Sequence, residues 1–273
     1  MVQTKELSKI SSRDNAKLAM ARKVRDGKIG DQIFIEGLRL AEETLRSGLN
    51  VSDCFLTQVF AETGRGRELI DNLNARHIHI HEVPEILFRS LADTNNSQGI
   101  ILIVEKPVSG IQTIEQNLQS KSPASVVFLH DINDPSNLGA VFRTAEAAGV
   151  AGIVVSRGSA DVFSPKALRG AMGASLRVPV LENANLAEVI LWSREHGLRS
   201  TAADIRSETA YTEIDWKLPR LIVLGSEAHG LSREALEMVD EVMRIPMQNG
   251  VESLNLAVSA GIILFESVRQ KSI

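Results

Sequence analysis

The sequence has 273 residues, of which 44% are hydrophobic and 23% are charged, with a formal net charge of −4. This length allows one large domain or two smaller ones, and the composition is that of a globular chain with a substantial core. No apolar run reaches the roughly 18 residues of a membrane span, and the polar start MVQTKELSKISSRDNAK has no signal-peptide core. A single cysteine, Cys54, excludes an intramolecular disulfide and a multi-cysteine zinc site. We therefore expect a cytoplasmic protein.

The charge is distributed unevenly along the chain. Residues 1–30 contain eight Lys and Arg against three Asp and Glu, a net of +5, so the rest of the chain carries −9. A basic arm on an acidic body can contact the phosphates of a nucleic acid. A solvated helical tail explains the same charges equally well, and both interpretations stay open at this point.

Strands and helices alternate in the first half of the chain. Residues 14–26 predict a short basic helix that begins at Asp14 or Asn15. Residues 31–105 predict a compact α/β unit. Its strands are QIFIEG, VSDCFLT, HIHIHEV and GIILIVEKP, and its helices are LRLAEETLRSG, residues 68–74 and PEILFRSLAD. Residues 106–122 have a mixed polar composition, which predicts a linker with room for a helical turn.

A second α/β unit is predicted over residues 123–273. Its alternation predicts a mostly parallel sheet covered on both faces. Its last helix, residues 253–269, is apolar nearly all round, so we expect it to be buried on more than one side, and a second subunit is one way to bury it. The predicted strands are SVVFLHDI, GIVVS, VPVLE, LRSTAAD and RLIVLGSE, and the earlier helices are NLGAVFRTAEAAG, SPKALRGAMGAS, NLAEVILWSREHG and SREALEMVD.

Three segments of this second unit contain candidate site residues. In the first, residues 130–149, a strand leads through a polar loop into a helix, with Asn137 at the expected N-cap position. Arg143 lies about one and a half turns into that helix, and Gly139 allows a close approach of the backbone. An ordinary capped helix with a surface arginine explains this segment as well.

The second segment, residues 221–231, is an apolar strand that ends in Gly-Ser-Glu. Ligands of open α/β sheets bind beyond the carboxyl ends of the strands. Gly225 would there allow backbone contact with a ligand, and Glu227 would supply an acidic group. The spacing is not GxGxxG, which argues against a nicotinamide cofactor. The alternative is a glycine-rich turn before a helix capped by Ser232.

The third segment, residues 245–257, leads from a Pro-Met turn through a glycine-bearing loop into the last helix. Ser253 is a natural N-cap. Asn255 is polar in an otherwise apolar stretch and needs hydrogen-bond partners if it is buried. The pattern fits either a variant of the capping box or a cofactor cradle.

Together the three segments resemble the SpoU, or TrmH-like, branch of the SPOUT superfamily of RNA 2′-O-ribose methyltransferases. The family's motifs appear in order: N-x5-R-T from Asn137, G-x-E-x-x-G from Gly225, and I-P-M…S-L-N from Ile245. This resemblance covers about residues 125–270. Residues 32–105 are similar to the family's RNA-binding domain of ribosomal-protein L30e type, through FIEGLRLAEE and NNSQGIILIVEKP.

The resemblance implies S-adenosylmethionine as cofactor, RNA as substrate, a homodimer and a trefoil-knotted second domain, with no metal. It favours 23S ribosomal RNA over tRNA, because the additional L30e-like domain is commoner among the family's rRNA enzymes. A non-catalytic RNA-binding or ribosome-associated protein is the competing interpretation. The implied catalytic residues are Arg143, Asn137, Glu227, Ser253 and Asn255, and the implied cofactor-binding residues are Leu224, Gly225, Gly230, Ile245, Met247 and Leu254.

Overall fold

The computed structural model describes residues 8–120 and 123–272. The chain divides into two compact units: an N-terminal unit, up to Pro107 and including Phe163–Leu176, and a C-terminal unit, Val108–Val162 with the residues from Arg177 onward. Residues 1–7 of the predicted basic arm, residues 121 and 122 of the predicted linker, and residue 273 lie outside the described residues. The domain boundaries drawn from the sequence stay a prediction.

The N-terminal unit is built on a five-stranded mixed sheet with the strand order β1-β4-β3-β5-β2. Strand β5 runs antiparallel to its neighbours β2 and β3, while β3, β4 and β1 are parallel. The elements of this part of the chain are β1 (Ser8–Lys9), α1 (Ala16–Arg25), β2 (Gln32–Glu36), α2 (Leu38–Arg46), β3 (Val51–Leu56), α3 (Gln58–Ala61), α4 (Gly64–Ala75), β4 (His79–Glu82), α5 (Glu85–Leu91) and β5 (Ile100–Glu105).

Helix α1 is packed into this unit and is not a free arm. Its apolar side chains, Leu18, Ala21 and Val24, are buried in the same cluster as residues of the sheet. Much of its positive charge has a structural partner within the unit. Lys17 pairs with Asp53 at 2.9 Å, and Arg25 donates to the carbonyl oxygens of Ser90, Leu91 and Ala92 at the end of α5.

The C-terminal unit contains a six-stranded sheet with the order β11-β9-β10-β6-β7-β8, in which every pairing is parallel. Its central strands are buried along their whole length, as expected of a sheet covered on both faces. This confirms the predicted fold class. The elements in this part of the chain, in sequence order, are α6 (Ile111–Ser120), β6 (Ser125–Leu129), α7 (Pro135–Ala147), β7 (Gly152–Ser156), α8 (Pro165–Ala171), a 3₁₀ turn (Ala174–Leu176), β8 (Val180–Ala184), α9 (Leu186–Glu195), β9 (Arg199–Ala203), β10 (Arg220–Leu224), α10 (Arg233–Met238), β11 (Glu241–Met243) and α11 (Leu256–Lys271). Of these, α8 and the 3₁₀ turn belong to the N-terminal unit.

Two helices begin at other residues than the sequence predicts. Helix α7 is capped by Asp134, whose side chain accepts from the Ser136 N–H at 2.9 Å, so Asn137 lies inside the first turn. Pro135 is suited to the first helical position because it lacks an N–H that would stay unpaired there. Helix α11 is capped by Asn255 and not by Ser253.

Two further differences concern burial and the predicted linker. Residues 111–120 form helix α6, because Ile114 is fully buried in the core of the C-terminal unit. Helix α11 is not buried all round within the described chain, since Val258 and Phe265 are 51% and 50% exposed. Within residues 8–120 and 123–272, no helix is both long enough and apolar enough to cross a membrane.

Candidate functional site

The candidate site lies where three parallel strands of the C-terminal unit end. Strands β11, β9 and β10 are neighbours in this order, so their carboxyl ends meet at one edge of the sheet. Strand β10 ends at Leu224 and strand β11 ends at Met243. Strand β9, which lies between them in the sheet, ends at Ala203. The Asp204 N–H, directly after β9, donates to the Met243 carbonyl at 2.8 Å. Loops from adjacent strands are thereby held side by side, which is where open parallel sheets bind ligands.

The loops after these strands enclose a cavity of about 490 Å³. This volume suits a nucleoside-sized ligand, because small-molecule pockets typically measure about 300–1,000 Å³. All six predicted cofactor-binding residues line it, together with two of the predicted catalytic residues: Leu224, Gly225, Gly230, Ile245, Met247, Leu254, Glu227 and Ser253. The second and third motif segments, which are well separated in sequence, therefore contribute to one cavity.

Glycine is required at position 225 by the tight turn that follows β10. A Cβ atom there would lie 2.5 Å from the carbonyl carbon of Gly230 and 2.8 Å from the amide nitrogen of Leu231. Both are backbone atoms, which cannot move aside without opening the turn. The turn is closed by a hydrogen bond from the Gly230 N–H to the Ser226 carbonyl at 2.9 Å, and Gly230 has a positive φ of 64°. The backbone of this turn forms one wall of the cavity.

Three side chains from the three motif segments form one hydrogen-bond relay. The Asn255 Oδ1 accepts from the N–H groups of Ala257 and Val258 at the start of α11. Its Nδ2 donates to the Asn137 Oδ1 at 2.9 Å, and the Asn137 Nδ2 donates to the Glu227 Oε1 at 2.8 Å.

This relay has a fixed direction. Only the oxygen of Asn255 can accept from backbone N–H groups, so its amide nitrogen must face Asn137. The oxygen of Asn137 then faces Asn255, and its nitrogen must face the carboxylate of Glu227. The start of helix α11 thereby orients an acidic group at the edge of the cavity.

Arg143 lies apart from this relay. It is exposed on α7 and does not line the cavity. Its guanidinium forms no ion pair or side-chain hydrogen bond within the described part of the chain. Its position leaves it open to a ligand that approaches from solvent.

A charged pair in the cavity wall was missed by the sequence reasoning. Asp204 and Arg206 follow directly after β9, and both line the cavity. Asp204 accepts from the Arg206 backbone N–H and Nε at 2.8 Å and from its Nη2 at 2.7 Å. These side-chain hydrogen bonds lower the pKa of the Asp204 carboxyl, while its partial burial acts in the opposite direction. The signal in the sequence was an Asp-x-Arg that begins at the last residue of the predicted strand LRSTAAD.

Comparison with known proteins agrees with this geometry. Residues 124–265, just over half of the chain, match the SpoU rRNA Methylase family. The chain belongs to this family. Residues 34–109 match the RNA 2′-O ribose methyltransferase substrate binding domain, so both halves of the predicted resemblance are confirmed at the level of the family. The SpoU match covers all three motif segments.

Similar proteins cover nearly the whole of this SpoU family member. An uncharacterized tRNA/rRNA methyltransferase of Synechocystis sp. is 30% identical over 98% of this chain and 96% of its own. A solved AdoMet-bound rRNA methyltransferase from Sinorhizobium meliloti is 27% identical, with a TM-score of 0.81 over 96% of this chain and 98% of its own. A solved RNA 2′-O ribose methyltransferase is 26% identical, with a TM-score of 0.81 over 97% and 100% of the two chains.

Proposed function

We propose that the protein transfers a methyl group from S-adenosylmethionine to the 2′-hydroxyl of a ribose in RNA. The observation that carries the proposal is that the second and third SpoU motifs line one cavity at the carboxyl edge of a parallel sheet, and that side chains from all three motifs form one relay beside it. The AdoMet-bound relative supports the cofactor. The 2′-O ribose methyltransferase relative, which the chain matches along its length, supports the ribose as the methylated group.

The residues of the cavity fit S-adenosylmethionine. The backbone around Gly225, Ile245 and Leu254 would hold the adenosyl group, because these residues line the cavity in the two loops that follow β10 and β11. When bound, the cofactor supplies a methyl group that is already activated on a sulfonium. The protein then has to align the ribose oxygen with that methyl and assist the loss of the hydroxyl proton, and alignment alone contributes a large part of such a rate.

Arg143 and Glu227 divide this work. An arginine side chain is a poor base, because its guanidinium stays protonated in proteins. In our proposal Arg143, which has no partner among the described residues, binds an RNA phosphate and polarises the hydroxyl as charge develops on its oxygen. Glu227 is the proton acceptor in this proposal, because the relay through Asn137 and Asn255 orients its carboxylate at the cavity. Ser253, which lines the same cavity, contributes a hydroxyl at its rim.

The N-terminal unit selects the RNA in this proposal. It corresponds to the substrate-binding domain of relatives, and the presence of such a domain favours ribosomal RNA, with 23S rRNA as the first candidate and tRNA as the alternative. Arg13 and Lys23 are exposed cations that form no ion pair within the described residues, so they are available to RNA phosphates. Removal of residues 1–30 would also remove the buried face of α1, so charge reversal at these two positions is the better test of that surface. Charge reversal at Arg13 and Lys23 should weaken RNA binding and reduce the dependence of RNA affinity on salt concentration.

A homodimer is part of the same proposal. Val258 and Phe265 are seven residues apart on α11, so they lie on the same face of the helix, and both are half exposed. A second copy of the chain would cover them. The trefoil knot implied by the family resemblance also stays a prediction.

The experiment compares RNA from a deletion strain with RNA from the same strain complemented by the wild-type or the Arg143→Ala protein. A 2′-O-methyl group blocks alkaline cleavage at one position, so each methylated ribose appears as a gap in the cleavage pattern. We expect one gap that returns with the wild-type protein and not with the variant. If the gap appears in tRNA, the substrate is tRNA and not rRNA. A cleavage pattern that is the same in all strains would contradict ribose methylation.

A further inference from the structure

The strand between the two motif-bearing strands has no motif of its own, yet its end lies at the centre of the site. The pairing of β9 with β10 places Ala202 opposite Val223, and the pairing with β11 places Ala203 opposite Met243. Asp204 therefore follows β9 at the level where the chain turns away after Leu224 on one side and Met243 on the other. The two flanking loops are those that would hold the adenosyl group.

Arg206 is held in the cavity wall with one edge of its guanidinium occupied. Asp204 engages the backbone N–H, Nε and Nη2 of Arg206. The Asp204 side chain is only 7% exposed, whereas the Arg206 side chain is 66% exposed. A guanidinium has five N–H donors, so the edge that includes Nη1 stays available. This pair presents a pre-oriented, open donor edge in the cavity wall.

We propose that Arg206 binds the carboxylate of the amino-acid end of the cofactor and that Asp204 is the positioning residue that orients it. A planar guanidinium matches a carboxylate through two parallel hydrogen bonds. The cofactor combines an adenosyl group, which backbone can hold, with a charged amino-acid end, whose carboxylate forms its strongest hydrogen bonds with a cationic donor. Arg206 is a cation already fixed in the wall of the cavity, and the buried Asp204 carboxylate holds it there. This inference rests on the proposed function, since it assigns one end of the proposed cofactor.

The test uses two ligands that differ only in the amino-acid end. S-adenosylhomocysteine and 5′-methylthioadenosine share the adenosine and a neutral thioether, but only the first has the carboxylate and the ammonium. Calorimetry on the full-length Arg206→Ala protein should show S-adenosylhomocysteine bound about tenfold more weakly, as expected for the loss of one charge-assisted pair. The affinity for 5′-methylthioadenosine should not change. Asp204→Asn should give a smaller loss with the same selectivity.

Arg199→Ala is the matched control. Arg199 is at the opposite end of the same strand and is also ion-paired, with Glu241 at 3.1 Å, so its loss should leave both affinities unchanged. Equal weakening of both ligands by Arg206→Ala would show a purely structural role and overturn the proposal. Unchanged binding of both ligands by Arg206→Ala would also overturn the proposal, even if the affinity of this variant for RNA fell. If the wild-type protein bound neither ligand, the proposed cofactor itself would be wrong, which is a distinct result.

Discussion

Asn255 has two roles that substitution can separate. Its Oδ1 caps helix α11 by accepting from two backbone N–H groups, and its Nδ2 donates to Asn137 in the relay to Glu227. Asn255→Ala removes both roles. Asn255→Asp keeps an oxygen for the cap but replaces the amide donor with a second acceptor, which then faces the Asn137 oxygen. If the Asn137 side-chain amide rotates by about 180° so that its nitrogen donates to the new carboxylate at position 255, its oxygen faces the Glu227 carboxylate, and two acceptors then face each other there.

The two variants should therefore differ in stability. Loss of an N-cap costs about 1 kcal/mol, which corresponds to a fall in Tm of roughly 2–4 °C for a unit of this size. Aspartate caps about as well as asparagine, and its negative charge is favourable at a helix N-terminus. We expect a lower Tm for Asn255→Ala and a Tm equal to or slightly above that of the wild type for Asn255→Asp.

Both variants should lose activity. Each breaks one hydrogen bond of the relay, worth about 0.5–1.5 kcal/mol, which lowers the methyl-transfer rate roughly two- to tenfold if the full loss appears in the transition state. Thermal unfolding by circular dichroism and single-turnover methyl transfer to the RNA measure the two quantities. A wild-type transfer rate for Asn255→Asp would refute the functional relay, and a wild-type Tm for Asn255→Ala would refute the cap.

Three further predictions concern the arginine, the glycine turn and the exposed face of α11. Arg143→Ala should abolish methyl transfer, by roughly 10²-fold or more, with calorimetric cofactor binding nearly intact; near-normal transfer would remove the assigned role. Gly225→Ala should destabilise the turn by about 1–3 kcal/mol and prevent cofactor binding in the same calorimetric assay. Gly64→Ala, which has no atom within 4 Å of the added Cβ, is the control and should change neither stability nor cofactor binding. Normal cofactor binding by Gly225→Ala would contradict the backbone cradle. The wild-type protein should be a dimer in light scattering and Phe265→Glu a monomer, because a charge replaces a half-exposed apolar side chain; a monomeric wild type, or an unchanged dimer of the variant, would exclude this face as the interface.

Long periodic elements and motif order were predictable from the sequence. The buried runs of β6, β7 and β10 alternate with amphipathic helices, and this alternation is sufficient to predict a parallel sheet. It also predicts which loops lie at the carboxyl edge, whereas the cavity-lining positions from Leu224 to Leu254 came from the resemblance to the SpoU motifs. Strands β1 and β11 have only two and three residues, too few to establish a period, so they become visible only through their pairing partners.

The remaining differences arise where tertiary contacts decide between local alternatives. Helix α6 has a polar composition, yet Ile114 inserts into the core and the helix forms there. The charges of α1 indicate an arm, but in the fold Arg25 donates to the end of α5 and Lys17 pairs with Asp53. The relay and the charged pair after β9 depend on which strands are neighbours, and strand order cannot be read from periodicity.

Methyl transfer in a purified system tests the central proposal most directly. The wild-type protein is incubated with S-adenosylmethionine labelled in its methyl group and with rRNA or tRNA from a deletion strain, and the RNA is then digested to nucleosides and analysed by mass spectrometry. We predict a single labelled nucleoside with the methyl on its ribose, obtained from rRNA, and no label with Arg143→Ala. A labelled base, or no label in either RNA from a protein that binds the cofactor, would contradict ribose methylation.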